Sequence, residues 1–177
     1  MTNTTDTNVA SATNARFVTW MVIAVVIAIV DQVTKWAIVE WVPLYGKVPI
    51  NSFMNLTHQQ NAGAAFSFLA DAGGWQRWFF VALATGVSIV IAVWIWRIRN
   101  EGQTVLSAGL ALVLGGAVGN LIDRVLLGHV TDFIQVWFGN WAFPSFNIAD
   151  AGISVGAALL ITDAIFFSGR EERSRQS

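Results

Sequence analysis

Apolar residues run almost unbroken through four stretches of the chain, about 17–39, 75–96, 104–126 and 148–167, and thin out between them. A bilayer core is crossed by about 20 apolar residues rising 1.5 Å each, so the pattern predicts four transmembrane helices. The stretch between the first two is of another kind. Pro43, Gly46, Pro49, Asn51 and Asn55 punctuate it with turns, and Ser52–Thr57 alternates as a strand does. Residues 40–74 are therefore expected to form a small extramembrane subdomain containing β-structure. Residues 127–146 read as a second outer loop, and its aromatic-rich part, Trp137–Trp141, is expected to act as a lid. Residues 1–15, rich in Thr, Asn and Ala without apolar period, read as a disordered tail, and 169–177 as a charged one, leaving 16–168 as one domain. The first run makes a poor signal peptide: it is too long, is charged near its end and precedes no small-residue cleavage site.

Composition sharpens this picture. The chain is 55% hydrophobic and 12% charged, about half the charge of a soluble domain. Nine tryptophans suit the membrane–water interface, where the ring is buried and the N–H stays wet. A net charge of −1 and the lack of a basic stripe argue against a nucleic-acid partner. The absence of cysteine excludes disulfides and thiolate chemistry. Arg16, Arg97, Arg99, Arg170, Arg173 and Arg175 fall at the termini or in the 97–103 loop, whereas 127–146 has no Lys or Arg and 40–74 only Lys47. The bias of basic residues to the cytoplasmic side then puts both termini in the cytoplasm and the two outer segments together on the other face.

Against this apolar background, four aspartates stand at one end of the spans. A carboxylate near hydrocarbon is unfavourable unless paired, solvated or protonated. Asp31 and Lys35 are i, i+4 on the first span; they either close the helix at the interface, with Lys35 snorkelling outwards, or brace a polar site. In Asn61-Ala-Gly63-Ala-Ala-Phe66, Gly63 marks either a tight turn or a backbone approach to a ligand. Asn120 and Asp123 share a helical face with Gly116, and Arg124 next to Asp123 suggests a local ion pair or a shared polar network. Asn147 is a good N-cap, with Asp150 in the first turn that follows. Asp132 has only His129 as a cation nearby in sequence.

Two carboxyls brought together share one proton, so one can activate water while the other acts as an acid. Peptide hydrolysis needs those two functions. Two histidines, His58 and His129, are too few and poorly spaced for zinc, and there is no Gly-x-Ser-x-Gly elbow. An aspartate dyad without metal or cofactor is the simplest chemistry available, and local chemistry leaves Asp123 open as a partner in place of Asp132. Two other classes use such residues. A proton-conducting transporter would carry acids across the bilayer and not gather them at one face. A scaffold would explain the glycines of the last two spans but not the asparagine–aspartate pairs.

Five motifs in order, DQVTK at 31–35, NAGAAFS at 61–67, GGAVGNLIDR at 115–124, VTDFI at 130–134 and FNIAD at 146–150, give the chain a resemblance to the lipoprotein signal peptidases (signal peptidase II), bacterial membrane aspartyl proteases. The resemblance covers about residues 17–167. It implies a membrane α-helical fold of four transmembrane helices with a small extracytoplasmic β-containing subdomain and a loop or lid. Asp132 and Asp150 would be the catalytic pair. Gly116, Asn120, Asp123, Arg124 and Asn147 would support the pair or hold substrate, Asp31 and Lys35 would brace the site, and Asn61 and Gly63 would cradle substrate. The substrate would be a diacylglyceryl-modified prolipoprotein, cut just before its lipidated cysteine at the outer face of the bacterial inner membrane. The enzyme would act as a monomer and be a target of the cyclic peptide globomycin.

Overall fold

The computed structural model describes residues 4–63 and 74–167, with side chains from Asn14 onward. Four helices dominate: α1 (Thr4–Trp41), α2 (Trp75–Ile98), α3 (Thr104–Leu126) and α4 (Ile148–Phe166). Stretches of each, from Asn14 in the case of α1, are long and apolar enough to cross a membrane, as the hydropathy pattern predicts. The helical backbone of α1 extends upstream to Thr4, into the part expected to be a disordered tail; lengthening an existing helix needs no new nucleus. The 169–177 tail lies outside the described residues, as does much of NAGAAFS.

α3 is the central helix. Ser107, Gly109, Leu110, Ala111, Leu114, Gly116, Asn120 and Asp123 are all buried along it, while Val22, Val26, Ile29 and Val33 of α1 and Ile89 and Val90 of α2 stay about half exposed and face lipid. Glycine permits the closest of these approaches. A Cβ on Gly156 would sit 2.7 Å from the Gly109 carbonyl oxygen, and one on Gly116 would collide with the carbonyl oxygen of Ala149. This is the small-residue packing that stands in for a hydrophobic driving force in lipid. Tryptophans mark both ends: Trp96 meets Phe17 edge-on at 5.0 Å at one end, and Trp41, Trp75 and Trp78 are exposed at the other.

At that second end lies a four-stranded antiparallel sheet in the order β1 (Lys47–Pro49), β2 (Met54–Asn61), β3 (Val130–Phe138), β4 (Trp141–Ala142). The two outer segments thus form one sheet. Residues 127–146 are not a free loop, and Trp137–Trp141 is the end of the β3–β4 hairpin, turning at Gly139 with φ +62°. Ile38, Val42 and Phe133 join the sheet to α1 in a small second core. Two features of the sheet place functional side chains. A bulge between Leu56 and Gln59 sets Gln59 opposite Asp132 and Asn61 opposite Val130. Beyond β4 the chain returns to β3, where Phe146 and Ile134 exchange backbone hydrogen bonds of 2.8 and 3.0 Å, which brings Asn147 alongside Asp132.

Candidate active site

Asp132 and Asp150 line one cleft of about 970 Å³ between α3, α4 and the sheet, and Asn61, Asn120 and Arg124 share its wall. From the carboxyls the cleft continues along α4 past Ala151 and Ser154 to Val155, which is exposed. Polar side chains of the sheet and apolar side chains of α4 therefore meet in one concavity.

Three asparagines hold the two carboxyls, and each has its amide orientation fixed by a donor that only an oxygen can satisfy. The Asn147 oxygen accepts the Asp150 backbone N–H at 2.9 Å, as the N-cap of α4. Its Nδ2 then faces Asp132 Oδ1 at 2.7 Å. The Asn61 oxygen accepts the Gly63 N–H at 3.0 Å, leaving Nδ2 to reach Asp132 Oδ2 at 3.0 Å. The Asn120 oxygen accepts the Lys35 ammonium at 2.9 Å, and its Nδ2 donates to Asp150 Oδ1 at 2.8 Å. The second Asp150 oxygen accepts its own cap N–H from Asn147 at 3.3 Å, completing a capping box. The capping reading of Asn147 and Asp150 and the catalytic one are thus compatible: the cap aims the carboxyl.

Burial and the neighbouring Asp150 charge push the Asp132 carboxyl up to about 7, against the pull of the Asn61 and Asn147 amides and of Lys35. The side chain is 4% exposed. Arg124 lies within electrostatic reach of Asp150, Asp132 and Asp123. Its guanidinium donates to the Gly63 carbonyl at 2.9 Å and lies 5.1 Å from the Phe80 ring centre.

The remaining sequence candidates separate clearly. Asp31, Lys35 and Asp123 form a buried cluster behind the cleft. The Lys35 ammonium lies 2.6 Å from Asp31 Oδ2 and 3.0 Å from Asp123 Oδ2. It is only 3% exposed, so it does not snorkel. Asp31 Oδ1 accepts the Ala149 N–H at 2.8 Å, at the start of α4, so the cluster also fixes the turn that carries Asp150. Asp123 Oδ2 accepts the Thr131 N–H at 3.1 Å, tying α3 to β3 next to Asp132. Asp123 faces Lys35 and does not line the cleft. Of the two readings of Asp123 and Arg124, a direct ion pair does not form among the described contacts, because adjacent helix residues point about 100° apart; Lys35 takes the Asp123 side, and Arg124 shares a polar network with Asp123, Asp132 and Asp150. Gly116 sits against α4 as a packing residue.

Sequence reasoning missed Gln32, and took Gly119 only as one of the glycines that let the last two spans pack closely. Gln32 Nε2 donates to Asp123 Oδ1 at 2.8 Å and to the Gly119 carbonyl at 3.1 Å. Gly119 leaves room for Asp31, whose Oδ2 would stand 2.6 Å from an added Cβ. The signal for Gln32 was its position inside DQVTK, three residues before Lys35 on the helix. Arg77, near the start of α2, donates to the Arg124 and Val125 carbonyls at 2.8 and 2.7 Å, capping the end of α3.

Residues 23–166 match the family model described as Signal peptidase (SPase) II. The chain is 50% identical over 146 residues to the lipoprotein signal peptidase of Ectopseudomonas mendocina (strain ymp), covering 81% of this chain and 86% of that one. It is 46% identical over 155 residues to the lipoprotein signal peptidase of Yersinia pseudotuberculosis serotype O:1b (strain IP 31758), covering 88% and 90%. A bacterial membrane enzyme solved by the in meso method at 2.3 Å superposes with a TM-score of 0.73 at 32% identity, over 85% of this chain and 92% of that one.

Proposed function

We infer the activity from one premise: the chain belongs to the signal peptidase II family. It is a membrane protease whose relatives are lipoprotein signal peptidases. The finer reading is an aspartic endopeptidase that removes the signal peptide from diacylglyceryl-modified prolipoproteins, cutting just before the lipidated cysteine. The observation that carries it is the placement of Asp132 and Asp150 in one cleft that opens along α4 to Val155.

In this mechanism the pair holds one proton. The carboxyl of Asp132, raised to about 7 by burial and by Asp150, carries it. Asp150, aimed by Asn120 and by its own cap, takes a proton from a water molecule as the water oxygen attacks the scissile carbonyl carbon. Asp132 gives its proton to the carbonyl oxygen, forming a gem-diol. Collapse of the diol breaks the C–N bond. The proton held by Asp150 passes to the departing cysteine nitrogen, and a hydroxyl proton returns to Asp132. One water is consumed, and the dyad ends with its single proton.

Arg124, beside the cleft and within reach of both carboxyls, stabilises charge on the peptide oxygen. The apolar side of α4 holds the acyl chains, so substrate enters sideways from lipid. The sheet and the dyad lie at the outer face of the bacterial inner membrane and the termini in the cytoplasm, in keeping with the placement of Arg16, Arg97 and Arg99 at the opposite end. The test is incubation of the purified protein with a prolipoprotein bearing the diacylglyceryl group and with the same chain lacking it. Cleavage of only the modified form, just before the cysteine, is expected. Equal cleavage of both, or of neither, refutes the substrate reading.

A further inference from the structure

Lys35 takes no part in the steps above and does not line the cleft, yet besides the pull of its charge on Asp132 it is linked to Asp150 by hydrogen bonds through one amide, that of Asn120. The oxygens of Asn147 and Asn61 are fixed by backbone N–H groups, which the fold supplies whatever the side chains are. The Asn120 oxygen has no backbone donor among its described contacts; it faces Lys35 Nζ at 2.9 Å and Asn147 Nδ2 at 3.3 Å. An ammonium has three protons and no acceptor. Those of Lys35 meet three oxygens, on Asp31, Asp123 and Asn120. The set is saturated, and an Asn120 turned by 180° would set its NH2 against an ammonium that is only 3% exposed.

We propose that Lys35 is a positioning residue for the hydrolysis: its ammonium locks the Asn120 amide so that Nδ2, and not the oxygen, meets Asp150 Oδ1. The inference rests on the Asp132–Asp150 reading of the site. With the amide reversed, an oxygen would face the Asp150 carboxyl, a contact that is favourable only if Asp150 carries the proton. The shared proton would then move from Asp132 to Asp150, and the water would lose its base. The charged groups around this amide are Asp31 and Lys35 on α1, Asp123 and Arg124 on α3, Asp132 on β3 and Asp150 on α4; Arg77 of α2 is engaged by the end of α3.

Lys35→Met alone leaves two buried carboxylates without their cation, so the informative variant is the charge-balanced Lys35→Met/Asp31→Asn. Its folding is checked by thermal unfolding in detergent. Its kcat and KM for a diacylglyceryl prolipoprotein are then measured across pH, in the wild-type and in the Asn120→Ala background. The expected result is a fall in kcat of about 10- to 100-fold, on the scale found for groups that orient the ligands of metal sites, with KM unchanged and the acid limb of the profile displaced to higher pH. In the Asn120→Ala background the same two substitutions add little, because Lys35 acts through that amide. Lys35→Arg, which keeps the charge and a donor, retains most of kcat if it folds. Wild-type kcat and pH profile in the charge-balanced variant, or an equal loss in both backgrounds, overturns the proposal, as does a charge-balanced variant that fails to fold while folded Lys35→Arg has lost the activity. Asp150→Asn in the same assay separates the two ideas: normal cleavage by that variant removes the dyad reading, whatever Lys35 does.

Discussion

The Asn61 amide gives a quantitative handle on the shared proton. Its Nδ2 donates to Asp132 Oδ2 at 3.0 Å and favours the ionised carboxyl, opposing the burial and the Asp150 charge that push Asp132 up to about 7. In Asn61→Ala that opposition is reduced. A hydrogen bond to a charged group is worth about 1.5–3 kcal/mol net, and one pKa unit about 1.4 kcal/mol, so the Asp132 carboxyl should rise by about one to two units. The sign matters. If Asp132 works protonated, its ionisation sets the alkaline limb of activity, near 7 in the wild type. Loss of the Asn61 donor then moves this limb to higher pH, and the variant, weaker near neutrality, retains activity where the wild type has lost it. The assay is kcat/KM against pH with a diacylglyceryl prolipoprotein, which reports the pair in the free enzyme. A limb that stays in place or moves to lower pH refutes the assignment of the proton to Asp132.

Further expectations follow from individual contacts. Gly116→Val should lower stability by about 1–3 kcal/mol, read as a lower unfolding temperature in detergent, and should reduce turnover, because its side chain must displace Ala149 at the root of Asp150. Asn147→Ala removes the α4 cap, costing about 1 kcal/mol, and also the 2.7 Å donor to Asp132; kcat should therefore fall by more than the small stability loss explains. Asp123→Asn should lower the unfolding temperature, because it weakens charged hydrogen bonds to Lys35 and to the Thr131 N–H, each worth about 1.5–3 kcal/mol; Lys35 stays paired with Asp31, and the folded fraction keeps residual turnover.

The spans and their ends were legible because hydrocarbon demands long apolar runs, and an apolar run of about 20 residues admits few other readings. The cap at Asn147 was equally legible, being local. The sheet was legible only in part. Alternation over Ser52–Thr57 announced β2, but its partner β3 lies some 70 residues on, and no local pattern specifies so distant a pairing. Hence the strands within 127–146 read as a loop. The site divided the same way. Asp132, Asp150 and the asparagines stood out as polar groups in apolar sequence. That Lys35 pairs with Asp123, and Arg124 with the Gly63 carbonyl, follows from helix rotation and packing, which adjacency in sequence misrepresents.

The central claim is that Asp132 and Asp150, and not Asp123, perform the hydrolysis. Its most direct test is cleavage of a diacylglyceryl prolipoprotein by purified Asp132→Asn, Asp150→Asn and Asp123→Asn, each first shown to be folded. The account predicts no turnover from the first two and residual turnover from the third. Normal cleavage by Asp132→Asn together with an inactive Asp123→Asn would contradict it and move the dyad to Asp123 and Asp150.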